Sequence, residues 1–450
     1  MVTSTATASS TTSRTAAAAR TGLVAPAVLV VAAAGALAVR WPSVVLVGLL
    51  AAAVVAVMLL HVQRAVLAYV AVEPFGDLVG TLHPAAVKVA GALLFVAWAV
   101  RLVLDARPVR LRHPGVLAAV ALALVVLASL ALQGASHEGA IGIAIRYWSY
   151  LAVLVVLVDT VRGAGPGRLE RARRIAVVFT LSCSAAAVVG LVGFLAGGGR
   201  AAGPLEDAND FAFFLVTAVP LALWLATGLG RRRWLYGACA VLLVAGILAT
   251  FSRGALLGLV VMVLLGLALG LVRPRVVVAG LAAVVLAVTV AWVTASDVID
   301  RSVQEKQHVA ASNVDSRFTS WEMAAAMTAD RPLLGHGPGG FQGEGDRYVP
   351  AGTSDTTHLD VAHQMYLDVS SELGLLGLGA FLLVLGSGTA GAWRARRLPE
   401  LAGAGTAVVV AMAGVLVAAC FLSEQYYLPV WLLAALGISL DPRTAEEEDA

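Results

Sequence analysis

Apolar residues run in blocks of roughly 20 along most of this chain, long enough for a helix to cross about 30 Å of hydrocarbon. Such runs lie at 23–39, 43–60, 84–104, 115–132, 141–158, 174–196, 210–228, 234–250, 255–272, 275–294, 375–392, 402–422 and 427–440. One long polar interval, Ser312–Gly374, interrupts them, so 295–373 is predicted as a single large extramembrane loop carrying short helices. Backbone in lipid must satisfy its own N–H and C=O groups. The predicted fold class is therefore an all-α polytopic membrane protein, a bundle of about 12–13 transmembrane helices. The interval 65–82 (AVLAYVAVEPFGDLVGTL) reads equally as a span, a re-entrant piece or a surface loop, because Glu73 and Asp77 argue against a simple span.

The expected organisation follows. Residues 1–20, mostly Ser, Thr and Ala, make a disordered tail. Membrane helices fill 21–294, the loop fills 295–373, further spans fill 374–440, and 441–450 is an acidic cytoplasmic tail. Leu23–Val39 is followed at once by a second apolar run with no cleavage signal, which argues against a signal peptide.

Charge placement orients the bundle. Arginines cluster at Arg101/Arg107/Arg110/Arg112, Arg162/Arg168/Arg171/Arg173/Arg174, Arg231–Arg233, Arg273/Arg275 and Arg394/Arg396/Arg397, that is, in every second connection. The positive-inside rule puts these in the cytoplasm. The 133–146 and 197–210 connections, the turn Phe251–Gly254, the large loop and the turn Ser423–Tyr427 then face outward. Arg146, Arg200, Glu206, Asp207, Asn209, Asp210, Arg253 and Glu424 collect on that side. Arg253, in a tight outward turn, breaks the bias and calls for a reason.

Composition supports the class: 60% of residues are hydrophobic and only 13% charged, more apolar surface than a globular core of this size hides. The net charge of +3 adds little, and a basic complement that is nearly all Arg suggests a GC-rich genome. Cys183, Cys239 and Cys420 sit inside apolar runs without metal-ligand spacing and read as small core residues.

Within the loop, Asp315 or Ser316 can cap a short helix that stops before Arg331-Pro332. Arg317 and Trp321 share a face of it; Trp321 can stack on a sugar ring or anchor the helix at the interface. GHGPGG at 335–340 lacks the strand and helix that a dinucleotide-binding turn requires, and reads as a tight turn folding the loop back on the membrane. His358, Asp360 and His363 form an H-x-D-x-x-H string that could hold a metal, but two histidines five apart do not share a helix face. From Ala362 a helix is predicted, with His363, Tyr366, Leu367 and Ser370 on one face and Gly374 ending it. His363 can serve there as a base for a sugar hydroxyl, or be merely structural.

Four pieces together resemble the O-antigen ligase and O-antigen polymerase superfamily of bacterial membrane glycosyltransferases. They are ATFSRGALLGL at 249–259, the R-F-T-S-W run from Arg317 with RPLLGHGPGGF after it, AHQMYLDVSSELGLLGL at 362–378 and, more loosely, PLEDANDFAFFL at 204–215. The resemblance covers about residues 200–380. It implies a metal-independent, cofactor-free, inverting transferase working on the outer face of a bacterial cytoplasmic membrane. It further implies a glycan donor on undecaprenyl pyrophosphate, a glycan, lipid or protein acceptor, and no nucleic acid. The family's two arginines and histidine fall on Arg253, Arg317 and His363. Gln364 stands where the family usually has Asn and keeps an amide; it joins Arg146, Arg200, Asn209 and Trp321 as candidates for binding pyrophosphate or sugar. Ligase and polymerase share these motifs. A flippase or transporter is the alternative of a different class, though no internal repeat supports it.

Overall fold

In the computed structural model the described residues are 56–58, 60–81, 86–104, 111–133, 139–163, 167–197, 199–228, 230–283, 285–286, 289, 316–353 and 361–443. Among them there are helices and no strands. Seven helices are long and apolar enough to cross a membrane, and four shorter apolar ones accompany them. These eleven answer to predicted runs; 23–39 and nearly all of 43–60 lie outside the described residues, as do His358, Asp360 and Asp315. The protein is a multi-pass, all-helical membrane protein.

In order, the helices are α1 (Val62–Val72), α2 (Gly76–Gly80), α3 (Ala86–Leu104), α4 (Pro114–Gln133), α5 (Ala140–Arg162), α6 (Arg168–Leu195), α7 (Ala208–Ala226), α8 (Arg232–Thr250), α9 (Arg253–Ala268), α10 (Pro274–Ala283), α11 (316–330), α12 (Gly340–Glu344), α13 (Met365–Ala395), α14 (Ala402–Ala418) and α15 (Leu428–Leu440). They belong to one unit, Val62–Ala450.

The ambiguous interval 65–82, described as far as residue 81, is a broken helix. A 3₁₀ turn, Glu73–Phe75, separates α1 from α2 with Pro74 in its first turn, where a missing N–H costs nothing. Both acids that argued against a span have partners: the Tyr150 hydroxyl donates to buried Glu73 at 3.3 Å, and the Glu206 N–H donates to Asp77 at 2.8 Å.

α15 is the centre of the bundle, buried along its whole length. It packs on α13 and α5, while α14 packs on α7 and α9, and α13 also on α4. α13 and α15 approach through small residues: a Cβ on Gly437 would lie 2.0 Å from the Gly388 carbonyl oxygen. In lipid, where apolar burial gives little drive, such close backbone packing holds helices together.

The loop folds as its own small layer. Met323, Ala324, Met327, Phe341 and Ala362 form its core. His336, fully buried, faces Glu344 with Nδ1 at 3.0 Å and the Met327 carbonyl with Nε2 at 3.1 Å. The GHGPGG turn does fold back on the bundle: the N–H groups of His336 and Gly337 donate to the Ser371 and Glu372 carbonyls at 2.9 Å each. Gly374, at φ 66° and ψ −171°, interrupts the helical geometry of α13, and a Cβ there would meet the Leu333 carbonyl carbon at 2.3 Å. The helix predicted from Ala362 starts only at Met365, with Gln364 as its cap. His363 therefore precedes the helix and shares no helical face with Tyr366, Leu367 and Ser370.

Candidate functional site

The site lies at the bundle end that carries the loop, and the short connections there supply its parts. Asp207 begins α7 by accepting the N–H groups of Asn209 and Asp210, a cap that satisfies orphan donors of the first turn. Arg200, from the preceding connection, donates to the Asn209 side-chain oxygen at 2.8 Å and to the Thr250 carbonyl at 2.8 Å. That second bond ties the 200s connection to the turn between α8 and α9. Phe251 in this turn has φ 52°, a left-handed conformation costly for a bulky residue. The turn lets α9 begin at Arg253, whose side chain is exposed.

Arg317, half-buried on α11, senses this neighbourhood. Burial first, then the charge of Arg253 and in lesser measure that of Arg200, hold its pKa below the usual guanidinium value, with Asp207 opposing them. The three arginines thus converge from α9, α11 and the 200s connection. Among the described residues, Arg253 and Arg317 have no hydrogen-bond or ion-pair partner.

Beside them lies a cavity of about 310 Å³. Arg146, Asn209 and His363 line it, and so does Asp207, which joins it to the arginine group. His363 is the only other described non-glycine residue with positive φ, at 51°. Ala362 and Gln364 hold it there: the Ala362 N–H donates to Asp368 Oδ1 at 3.1 Å, and the Gln364 side chain accepts the Leu367 N–H at 2.7 Å. Both strained backbones of the described chain therefore flank the two candidate motifs, as strain kept for a site does.

Two candidates have other work. Gln364 caps α13 and is not part of the cavity wall. Trp321 packs edge-on to Phe318 at 5.3 Å and near Phe421 at 6.4 Å, its buried indole N–H unpaired.

The rest of the wall is acidic, aromatic and amide, and sequence reasoning passed over most of it. Tyr426 and Tyr147 donate to buried Glu372, and Tyr427 donates to Asp210. Glu424, buried beside them between α14 and α15, is pushed well above its ordinary pKa by burial first and then by the charge of Asp210. The available signal was the S-E-Q-Y-Y run at 423–427, five polar or amphipathic residues between two spans, of which only Glu424 stood out. Among the described residues no three His, Cys, Asp or Glu side chains gather as a metal site.

Residues 238–382 match the family model for O-antigen ligase. The match contains Arg253, Arg317 and His363 together with the turns that hold them. No curated protein matches the chain. The matched stretch, roughly a third of the chain, supports a relationship to the O-antigen ligase/polymerase superfamily and a glycan-processing function.

Proposed function

We propose that this protein is a glycosyltransferase of the bacterial cytoplasmic membrane. It takes a glycan from an undecaprenyl pyrophosphate carrier at the outer face and delivers it to an acceptor hydroxyl with inversion. The observation that carries this reading is the group of three arginines beside the cavity that His363 lines. Like charges repel, and two of these have no carboxylate bound to them, so a dianion between them relieves the repulsion. The opposite bundle end carries the arginine clusters, which supports an outward-facing site.

The chemistry follows from the residues. The acceptor oxygen attacks the anomeric carbon as its bond to the carrier phosphate breaks, and the electron pair leaves on the pyrophosphate. Arg253 and Arg317 meet that growing charge with planar forks, the work a divalent cation does in other transferases. His363 takes the acceptor proton. Arg200, anchored to Thr250 and Asn209, and Arg146 hold the donor's phosphate or sugar.

A size profile of carrier-linked and surface glycan tests this in cells with wild-type protein, none, or His363→Ala. Single repeat units left on the carrier identify a polymerase, and full-length polymer stranded outside identifies a ligase. Carrier-linked units accumulating inside would replace the transferase reading with export. A wild-type profile for His363→Ala would remove the base assignment.

A further inference from the structure

The cavity wall holds a second set of polar atoms that neither the arginines nor His363 use. Asp368, Ser423 and Gln425 all line it. Gln425 is 0% exposed and Asp368 3%. Asp368 Oδ2, the Ser423 hydroxyl and both amide atoms of Gln425 are buried without a hydrogen-bond partner. Ser423 and Gln425 stand beside Asp368, yet they close no bond of good geometry with it. Buried polar groups left open are costly, on the order of 1–3 kcal/mol each, and are seldom grouped without a purpose.

The group is also held in place. Trp431, fully buried in α15, donates its indole N–H to the Gln425 carbonyl at 3.0 Å and fixes the connection that carries both Ser423 and Gln425. The two oxygens of Asp368 divide their roles: Oδ1 accepts the Ala362 N–H next to His363, and Oδ2 is buried without a partner on a residue of the cavity wall. Whatever binds Oδ2 is thereby registered against the backbone that sets the His363 ring.

We propose that Asp368, Ser423 and Gln425 form a saccharide-hydroxyl subsite that holds the acceptor sugar against His363. A carboxylate oxygen accepts one hydroxyl, the amide both donates and accepts, and the Ser423 hydroxyl adds a third contact; neighbouring hydroxyls of a pyranose present that mixture of donors and acceptors. Asp368 is then a positioning residue for His363 as well as a sugar ligand. The proposal rests on the transferase reading but stands or falls on binding, which needs no turnover.

The test uses purified full-length protein in lipid nanodiscs and methyl glycosides of a hexose, a 6-deoxyhexose and an N-acetylhexosamine. Binding is read by saturation-transfer NMR. Wild-type protein and His363→Ala are expected to give equal signals for at least one glycoside. Gln425→Leu and Asp368→Asn are expected to lose it at least fivefold, and Ser423→Ala to lose less. Asp368→Asn keeps an oxygen for the Ala362 N–H, and unchanged melting temperatures exclude misfolding as the cause. Wild-type signals from Gln425→Leu and Asp368→Asn would overturn the subsite, as would no signal from wild-type protein. Neither result touches the transferase reading, which the glycan profile of His363→Ala decides separately.

Discussion

Arginines at the two ends of this bundle live under opposite rules. At the end away from the loop, Arg394 forks onto the Asp441 carboxylate, which His113 also reaches with Nε2 at 3.1 Å. The Gly115 N–H donates to His113 Nδ1, which leaves Nε2 as the ring nitrogen that donates to Asp441. The clasp joins the starts and ends of α4, α13 and α15. Burial pushes the Asp441 carboxyl up, but the bonds from His113, Arg394 and the Arg443 N–H outweigh it and hold the group far below its ordinary value. At the loop end, Arg317 is lowered by burial and by its arginine neighbours. One arginine is bound to a carboxylate of the fold; the other has only the more distant charge of Asp207 against two arginine neighbours. That difference separates a structural cation from a binding one more reliably than position in the sequence.

Substitutions can break the comparison. The largest effect is expected at the loop end: Arg253→Ala or Arg317→Ala should lower transfer by about 100- to 1,000-fold, the usual loss for a donor to developing charge. Lys at either position should recover only part, lacking the planar fork. Melting temperature should hold or rise, since a repelling charge is removed. Transfer assays on membranes with a carrier-linked donor read the first, and thermal melts read the second.

The opposite end should show the reverse. Arg394→Ala leaves Asp441 buried with one partner fewer and should cost about 3 kcal/mol of stability, with transfer per folded molecule unchanged. The pH dependence has a definite sign. A carboxyl whose folded pKa is depressed gives its full stabilisation above its unfolded value of about 3.9, and loses it as pH falls toward the folded value. Wild-type melting temperature should therefore fall more steeply than that of Asp441→Asn below about pH 4.

A smaller effect, about 2 kcal/mol or more, is expected from Gly374→Ala. Its φ of 66° with ψ −171° is a region only glycine enters cheaply, and its Cβ would strike the Leu333 backbone. The loop layer should detach from α13 first, read as faster proteolysis of 316–353. The smallest is Gln364→Ala, a lost helix cap worth about 1 kcal/mol. Gln364→Asn should restore most of it, and transfer should follow His363 geometry rather than amide chemistry.

Much of this was legible in the chain. Spans announce themselves because lipid demands long unbroken apolar helices, and eleven of the predicted runs are helices. Arg253 was legible as an exception to a charge rule. Asp210 and the Ser423–Tyr427 turn were legible only as outward-facing; Glu372 was not, since an acid at a helix end usually meets water, and only the packing of α5, α7, α13 and α15 shows that they share a cavity. The local start of α13 was misjudged for a related reason: helical periodicity continues through Ala362 and His363, but the bond from Asp368 to the Ala362 N–H favours an extended entry and a left-handed His363. Glu73 and Asp77 marked 65–82 as no simple span, whereas their partners Tyr150 and Glu206 were too distant in sequence to foresee.

The central claim is that the loop-end arginines are a diphosphate site and not part of the scaffold. The direct measurement is thermal stability and affinity for a short-chain polyprenyl pyrophosphate, in the same nanodisc samples of wild-type protein, Arg317→Ala and Arg394→Ala. The account predicts a crossed pattern: Arg317→Ala melts like wild type and loses diphosphate binding at least tenfold, while Arg394→Ala binds normally and melts early. If Arg317→Ala melts early and binds diphosphate like wild type, the arginines at both ends are scaffold and the account is wrong.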